Sequence, residues 1–191
     1  MNDRVELRQR VRGTLARLEA RTLPGEFSRE AAVLMPIFER GGAAYFLLTR
    51  RTEEMPTHKG QISFPGGRRQ AGEELAETAL RETFEEVGIP RPAIEVLGRY
   101  HEYVSSTDYR VVPFAGYIAA PFEVVPQVRE VAEVVEVPFD VFLDPERIRI
   151  EKKLWQGDWV PVPYVRFGAL EVWGLTARII LDFLADLQGF E

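Results

Sequence analysis

The chain has 191 residues, 46% hydrophobic and 28% charged, with a formal net charge of −6 at pH 7. That length suits one domain with a sizeable core, and the acidic balance argues against a general nucleic-acid binder, which carries a basic surface. The absence of cysteine excludes disulfides, thiolate zinc sites and cysteine nucleophiles.

At the start of the chain Leu7, Val11, Leu15 and Leu18 recur at steps of four, four and three among arginines and acids. This predicts an amphipathic helix of about five turns within residues 1–22, packed on a single domain spanning 23–191. The stretch is too charged for a signal peptide, and no apolar run approaches the roughly 20 residues of a membrane span, so a cytoplasmic location is expected. TLPGEFSRE (22–30) has turn chemistry and leads into the main fold. AAVLMPIFER and AAYFLLTRR flank Gly41-Gly42 and read as a β-hairpin. Further strands are expected over 93–104, 109–119 and 130–138, with a Pro-punctuated edge strand over 159–165 and a closing helix over 175–187. Strands with helices before, among and after them predict an α+β fold, a mixed sheet covered by helices.

Between these groups lies FPGGRRQAGEELAETALRETFEEVGIP, residues 64–90. At about 100° per residue, Glu86 falls about 40° to one side of Glu82 and Glu85 about 60° to the other, so the three acids share a stripe. Like charges at that spacing repel. A hard divalent ion, Mg²⁺ or Mn²⁺, takes oxygen ligands and relieves the repulsion. Leu80, Phe84 and Val87 form a second stripe, with Ala76 and Thr83 beside it, expected to face a core. Pro65-Gly66-Gly67 reads as a tight turn whose backbone comes close to a bound group, so that a carbonyl there completes the metal shell. Arg81 is expected to hold Glu73 through two parallel hydrogen bonds, tying the loop to the helix. Gly88 ends the helix by adopting positive φ.

Glutamates on a helix are ordinary surface charge when taken alone. The full pattern is more specific: Gly67, five residues, Glu73, seven residues, then Arg81-Glu82-Thr83-Phe84-Glu85-Glu86-Val87-Gly88-Ile89. It closely resembles the signature of the Nudix hydrolases, which cleave nucleoside diphosphates linked to another group. Thr83 departs from it, standing where the family usually has an aliphatic residue. The resemblance implies a Nudix fold, a mixed sheet sandwiched between helices, and metal-assisted attack of water on a diphosphate. By the same resemblance Glu82 and Glu86 are the principal metal ligands, with a contribution from the Gly67 carbonyl, and Glu85 is a further ligand or a base acting through water. Glu130, in PQVREVAEVVEVP, sits where many relatives place an acid that serves as base or binds another metal; Glu133 and Glu136 are close by in sequence.

Upstream, LLTRRTEEMPTHKGQISFPGG (47–67) resembles the extra motif of the coenzyme A pyrophosphatase branch, with Thr52 for a usual serine and Pro56 for a usual arginine. WGLTARIILDFL (173–184) resembles the same branch. Arg50, Arg51, His58, Lys59 and Arg68 form a basic run around the glycine turn of an acidic protein and are the expected contacts to a phosphate-rich small-molecule substrate. The implied reaction converts coenzyme A or its thioesters to 3′,5′-ADP and 4′-phosphopantetheine or its acyl form. ADP-ribose, NADH and dinucleoside polyphosphates are the alternative substrates, and a non-catalytic nucleotide-binding module is the alternative class. His101 is read as structural. Tyr103, Tyr109, Phe114, Tyr164 and Trp173 are core residues or, alternatively, platforms for adenine or the pantetheine arm.

Overall fold

The computed structural model describes residues 2–53 and 60–189, without the side chains of residues 2–6. Helix α1 (Asn2–Arg17) comes first and buries Leu7, Val11 and Leu15. The alternation of strand β1 (Glu30–Arg40) then sets the layers: Ala32, Leu34 and Phe38 enter one core, while Met35 and Ile37 enter another on the opposite face. Gly41 and Gly42, at φ 61° and 82°, reverse the chain into β2 (Ala43–Arg51), as a two-residue hairpin turn requires.

β1 and β2 pair only from Ile37↔Phe46 to Arg40↔Ala43, so they part toward Glu30 and Arg51. The following chain fills the gap. β3 (Ile62–Ser63) pairs with Thr49 and Arg50 of β2, and β4 (Gly66–Arg68) pairs antiparallel with Ala31, Ala32 and Val33 of β1. Helix α2 (Leu75–Val87) lies across one face of this region and buries Thr78, Ala79, Leu80, Thr83 and Val87. β5 (Ile94–Arg99) and β6 (Tyr103–Val104) pair antiparallel with β7 (Arg110–Ile118), which runs parallel to β1. β8 (Val131–Pro138) pairs with β2. α3 (Phe139–Leu143) follows, then a three-stranded sheet of β9 (Ile148–Trp155), β10 (Asp158–Phe167) and β11 (Leu170–Trp173), then α4 (Gly174–Gly189). The fold is α+β, a mixed sheet between α2 on one face and α1, α3 and α4 on the other.

Four expectations change. The strand expected over 93–104 is interrupted at Tyr100–Glu102. Tyr100 and His101 there are buried, and their side chains reach Asp186 of α4: the Tyr100 hydroxyl donates at 2.5 Å and His101 Nε2 lies at 3.3 Å. The Pro-punctuated strand is the middle strand of the smaller sheet, although Pro161 and Pro163 lie where β10 has β9 on one side alone, a local edge of the kind proline tolerates. Phe84 is 55% exposed. The buried stripe of α2 runs through Ala79, Leu80, Thr83 and Val87, and Phe84 lies one helical step outside it, beside Leu80, Pro90 and Arg91. Finally, Pro65-Gly66-Gly67 is not a turn: Gly66 and Gly67 are strand residues without positive φ.

Candidate metal and diphosphate site

Both glycines of β4 sit at close approaches, Gly66 to backbone and Gly67 to a side chain. A Cβ on Gly66 would run into the backbone of Ala32 and Val33, and a Cβ on Gly67 would overlap the Glu82 carboxylate. The second contact brings the backbone at Gly67 against an acid of α2. One turn later Glu86 is only 6% exposed, its Oε2 has no hydrogen-bond partner, and the Gly66 N–H faces its carboxylate. Burial pushes the Glu86 carboxyl up to about 8; the charges of Glu82 and Glu130 push the same way, while Arg51 and the Gly66 N–H oppose them. Burial also raises the Glu82 carboxyl from its ordinary value, against the pull of Arg81, with Glu85 and Glu130 adding to the rise.

Arg81 organises the surrounding loop. Its Nε and Nη2 donate to Glu73 at 2.8 and 3.2 Å, its Nη1 to Glu82 at 2.7 Å and Glu85 at 3.1 Å, and Nη2 also to the Arg68 carbonyl at 3.1 Å. Glu73 accepts further from the Gln70 N–H and the Thr78 hydroxyl. The bond from Arg81, followed by those from Gln70 and Thr78, holds the Glu73 carboxyl down at about 2. Gly88, at φ 72°, caps α2 and donates its N–H to the Phe84 carbonyl. Thr83, in its aliphatic position, is fully buried and donates its hydroxyl to the Ala79 carbonyl at 2.7 Å, so its polarity costs little there.

The remaining sequence candidates divide. Glu85 is exposed at the rim and bound to Arg81, so the three acids do not converge: among the described residues no group of three or more acids and histidines is poised around one point. Arg81 draws Glu82 and Glu85 toward itself, which leaves Glu86 alone inside. Glu130 is exposed on the loop before β8, near enough that its charge raises both Glu82 and Glu86. Arg51 lies on the Glu86 side and has no carboxylate ion pair among the described residues, whereas the Nη2 of Arg50 is paired with Glu133 at 3.1 Å. Arg68 is exposed immediately after Gly67. His58 and Lys59 lie outside the described residues.

Sequence reasoning noted Thr52 as a replacement for a usual serine but gave it no role. Its N–H donates to the Glu130 carbonyl at 3.0 Å and its hydroxyl to the Arg129 carbonyl at 3.1 Å, fixing the loop that carries Glu130 to the end of β2. The hydroxyl kept at this position is the signal that pointed to it.

The donor set fits a hard divalent cation. Glu86 presents a buried carboxylate oxygen with no partner, and Glu82 is packed on a glycine backbone that leaves no room for a side chain between them. A family model for the NUDIX domain matches residues 28–164. The chain is 37% identical over 166 residues to a Nudix hydrolase named NudL from Yersinia enterocolitica, covering 82% of both chains. It is 36% identical over 130 residues to the peroxisomal coenzyme A diphosphatase NUDT7 of Mus musculus, covering 68% of this chain and 55% of the mouse protein. To Nudix hydrolase 22 of Arabidopsis thaliana it is 32% identical over 161 residues, covering 80% of this chain and 53% of that one. The chain thus spans about half the length of the mouse and plant relatives. Among solved structures, the Nudix hydrolase RenU from M. smegmatis superposes with a TM-score of 0.52 at 27% identity, over 61% of this chain and 74% of that one. A MutT/nudix family protein from Enterococcus faecalis shares the fold at a TM-score of 0.54 and 16% identity, over 88% of this chain and 66% of that one. With the signature helix, the glycine strand beneath it and these matches in agreement, the chain belongs to the Nudix hydrolase family.

Proposed function

We propose that the protein hydrolyses the diphosphate of a nucleoside diphosphate derivative with the help of Mg²⁺ or Mn²⁺, and that its substrate is coenzyme A, free or acylated. The products are 3′,5′-ADP and 4′-phosphopantetheine or its acyl form. The observation that carries the chemistry is the unpartnered Oε2 of buried Glu86 beside Glu82 and the Gly67 backbone. An anionic carboxylate in that position is costly without a cation. Glu86, Glu82 and the Gly67 carbonyl would hold the ion, which supplies neutralisation of the diphosphate oxygens and a more acidic water. Glu130 is the base that takes the proton from the attacking water, placed by the Thr52 bonds to its loop; exposed Glu85 is the other acid within the signature able to do so. Arg51 neutralises a phosphate oxygen on the Glu86 side. Arg81 and Glu73 hold the loop in place and do not touch the reacting atoms.

Two features support coenzyme A: the spacing of Leu47-Leu48-Thr49, Arg51, Gly60 and Phe64-Pro65-Gly66-Gly67, and the likeness to a mouse protein named as a coenzyme A diphosphatase. The test is incubation of the protein with coenzyme A, ADP-ribose, NADH and diadenosine polyphosphates, each with Mg²⁺ or Mn²⁺, with products identified by mass. Cleavage of coenzyme A to 3′,5′-ADP in preference to the others is the expected result. Preferred cleavage of another substrate overturns the coenzyme A assignment, and cleavage of none overturns the activity.

A further inference from the structure

Basic side chains along the β4 end of the sheet are neutralised unevenly. Glu30 takes both Arg69 and Arg110, and Glu102 takes Arg99 and Arg110, so those three cations are matched by acids. Arg29 and Arg68 are not. Both are exposed, and neither has a carboxylate within ion-pair distance among the described residues. Both guanidinium groups instead lie over the ring of Tyr109, Arg68 at 5.3 Å and Arg29 at 5.8 Å from its centroid. Two like charges gathered on one aromatic ring in an acidic chain leave a positive spot that no carboxylate among the described residues pairs with.

The topology makes the spot a built feature. Glu30 of β1 is in register with Arg110 of β7, so Arg29 and Tyr109 are the residues just before those neighbouring strands, and the Arg110 N–H donates to the Arg29 carbonyl at 3.0 Å. Arg68 reaches the same place from β4, where it is in register with Ala31. The loop holding Tyr109 is fixed: the Ser105 hydroxyl oxygen accepts from the N–H groups of Thr107 and Tyr109, and Asp108, the acid next to Tyr109, accepts from Gln156 at 2.9 Å. Arg68 also follows Gly67 directly, about 3.8 Å away between Cα atoms. Its carbonyl is tied to Arg81 while its side chain turns to Tyr109. The spot therefore adjoins the candidate diphosphate site without sharing its carboxylates.

We propose that Arg29, Arg68 and Tyr109 form an anion subsite for a second phosphate, a phosphate monoester carried on the nucleoside half of the substrate apart from its diphosphate. This rests on the reading of the chain as a hydrolase of nucleoside diphosphate derivatives and adds to it the residues that select among them. The two guanidinium groups grip the phosphate oxygens with charge-assisted hydrogen bonds, and the Tyr109 ring keeps them side by side when the subsite is empty.

The test is calorimetric titration of the full chain with 3′,5′-ADP, 5′-AMP and inorganic phosphate, for the wild type and for Arg29→Ala, Arg68→Ala and the double variant. The wild type is expected to bind 3′,5′-ADP about tenfold or more tightly than 5′-AMP. Each single variant reduces that ratio and the double variant brings it near one, while Arg68→Lys retains part of it. Equal affinity for the two nucleotides in the wild type, or an undiminished ratio in the double variant, overturns the proposal. Inorganic phosphate binding as tightly as 3′,5′-ADP also overturns it, because the spot is then a general anion site. Because both side chains are exposed, unchanged melting temperatures are expected to show that the variants fold. The readout is binding, so its failure is distinct from failure of the hydrolysis assay: a preference for 3′,5′-ADP without cleavage of any substrate keeps the subsite and removes the activity.

Discussion

Glu86 and Glu73 lie on the same signature and are perturbed in opposite directions, which gives them opposite pH signatures. The folded Glu86 carboxyl is raised from 4.5 to about 8 by burial, so between those values the folded chain holds a proton that the unfolded chain has lost. Stability therefore falls as pH rises through that window. In EDTA, Glu86→Gln is expected to melt above the wild type at about pH 9, with the difference vanishing below about pH 4.5. For a chain of this size each kcal/mol moves the melting temperature by roughly 2–4 °C. Glu73 is lowered from 4.5 to about 2, chiefly by the bond from Arg81, so its contribution is present above 4.5 and is lost as pH falls toward 2. Arg81→Ala is expected to cost roughly 2 kcal/mol at neutral pH, the worth of charge-assisted bonds at a half-buried site. That gap should shrink in acid, and activity should fall with it. An unchanged melting temperature and rate would remove the tether. Scanning calorimetry across pH checks both variants.

At the scale of elements, legibility followed the strength of the side-chain pattern. The β1–β2 hairpin was readable because its apolar runs flank two glycines whose positive φ the turn needs. α2 was readable because its stripes have helical period, yet Phe84 was misplaced: a helical wheel gives direction but not how far around the helix the sheet reaches. β4 has only Gly66, Gly67 and Arg68, so no alternation betrays it, and its partner β1 is more than 30 residues away in sequence. β9, with the sequence IRIEKKLW, is exposed along most of its length and carries no buried face to read. The amphipathic step at the start of the chain did identify α1, whose Leu7, Val11 and Leu15 join the same core as α4. We propose that α1 is an integral part of one domain. Val11 is fully buried, and Val11→Ala is expected to cost roughly 1–3 kcal/mol in urea unfolding. A single unfolding transition shifted to lower urea supports this, and an unshifted midpoint would make α1 an appendage.

On the scale of the whole molecule, an acidic chain handles an anionic substrate by sorting its charges. Most arginines near the sheet end are matched with Glu30, Glu102 or Glu133, and Arg51, Arg29 and Arg68, which form no ion pair among the described residues, lie around the glycine strand. Composition gave only the negative total, and the basic run gave candidates without saying which are already paired, since pairing depends on strand register. The motif spacing singled out the segments that come together: α2 lies over β4, with Glu82 against Gly67 and the Gly66 N–H facing Glu86. No helix among the described residues is long and apolar enough to cross a membrane.

That Glu86 is the inner ligand of a divalent cation is the central claim, and titration of Mn²⁺ into the wild type and Glu86→Gln by calorimetry tests it without any substrate. The wild type is expected to bind Mn²⁺, with affinity in Glu86→Gln reduced at least about tenfold while the fold is retained. Equal affinity in the two proteins would contradict the account, because the buried unpartnered carboxylate would then have no cation to hold.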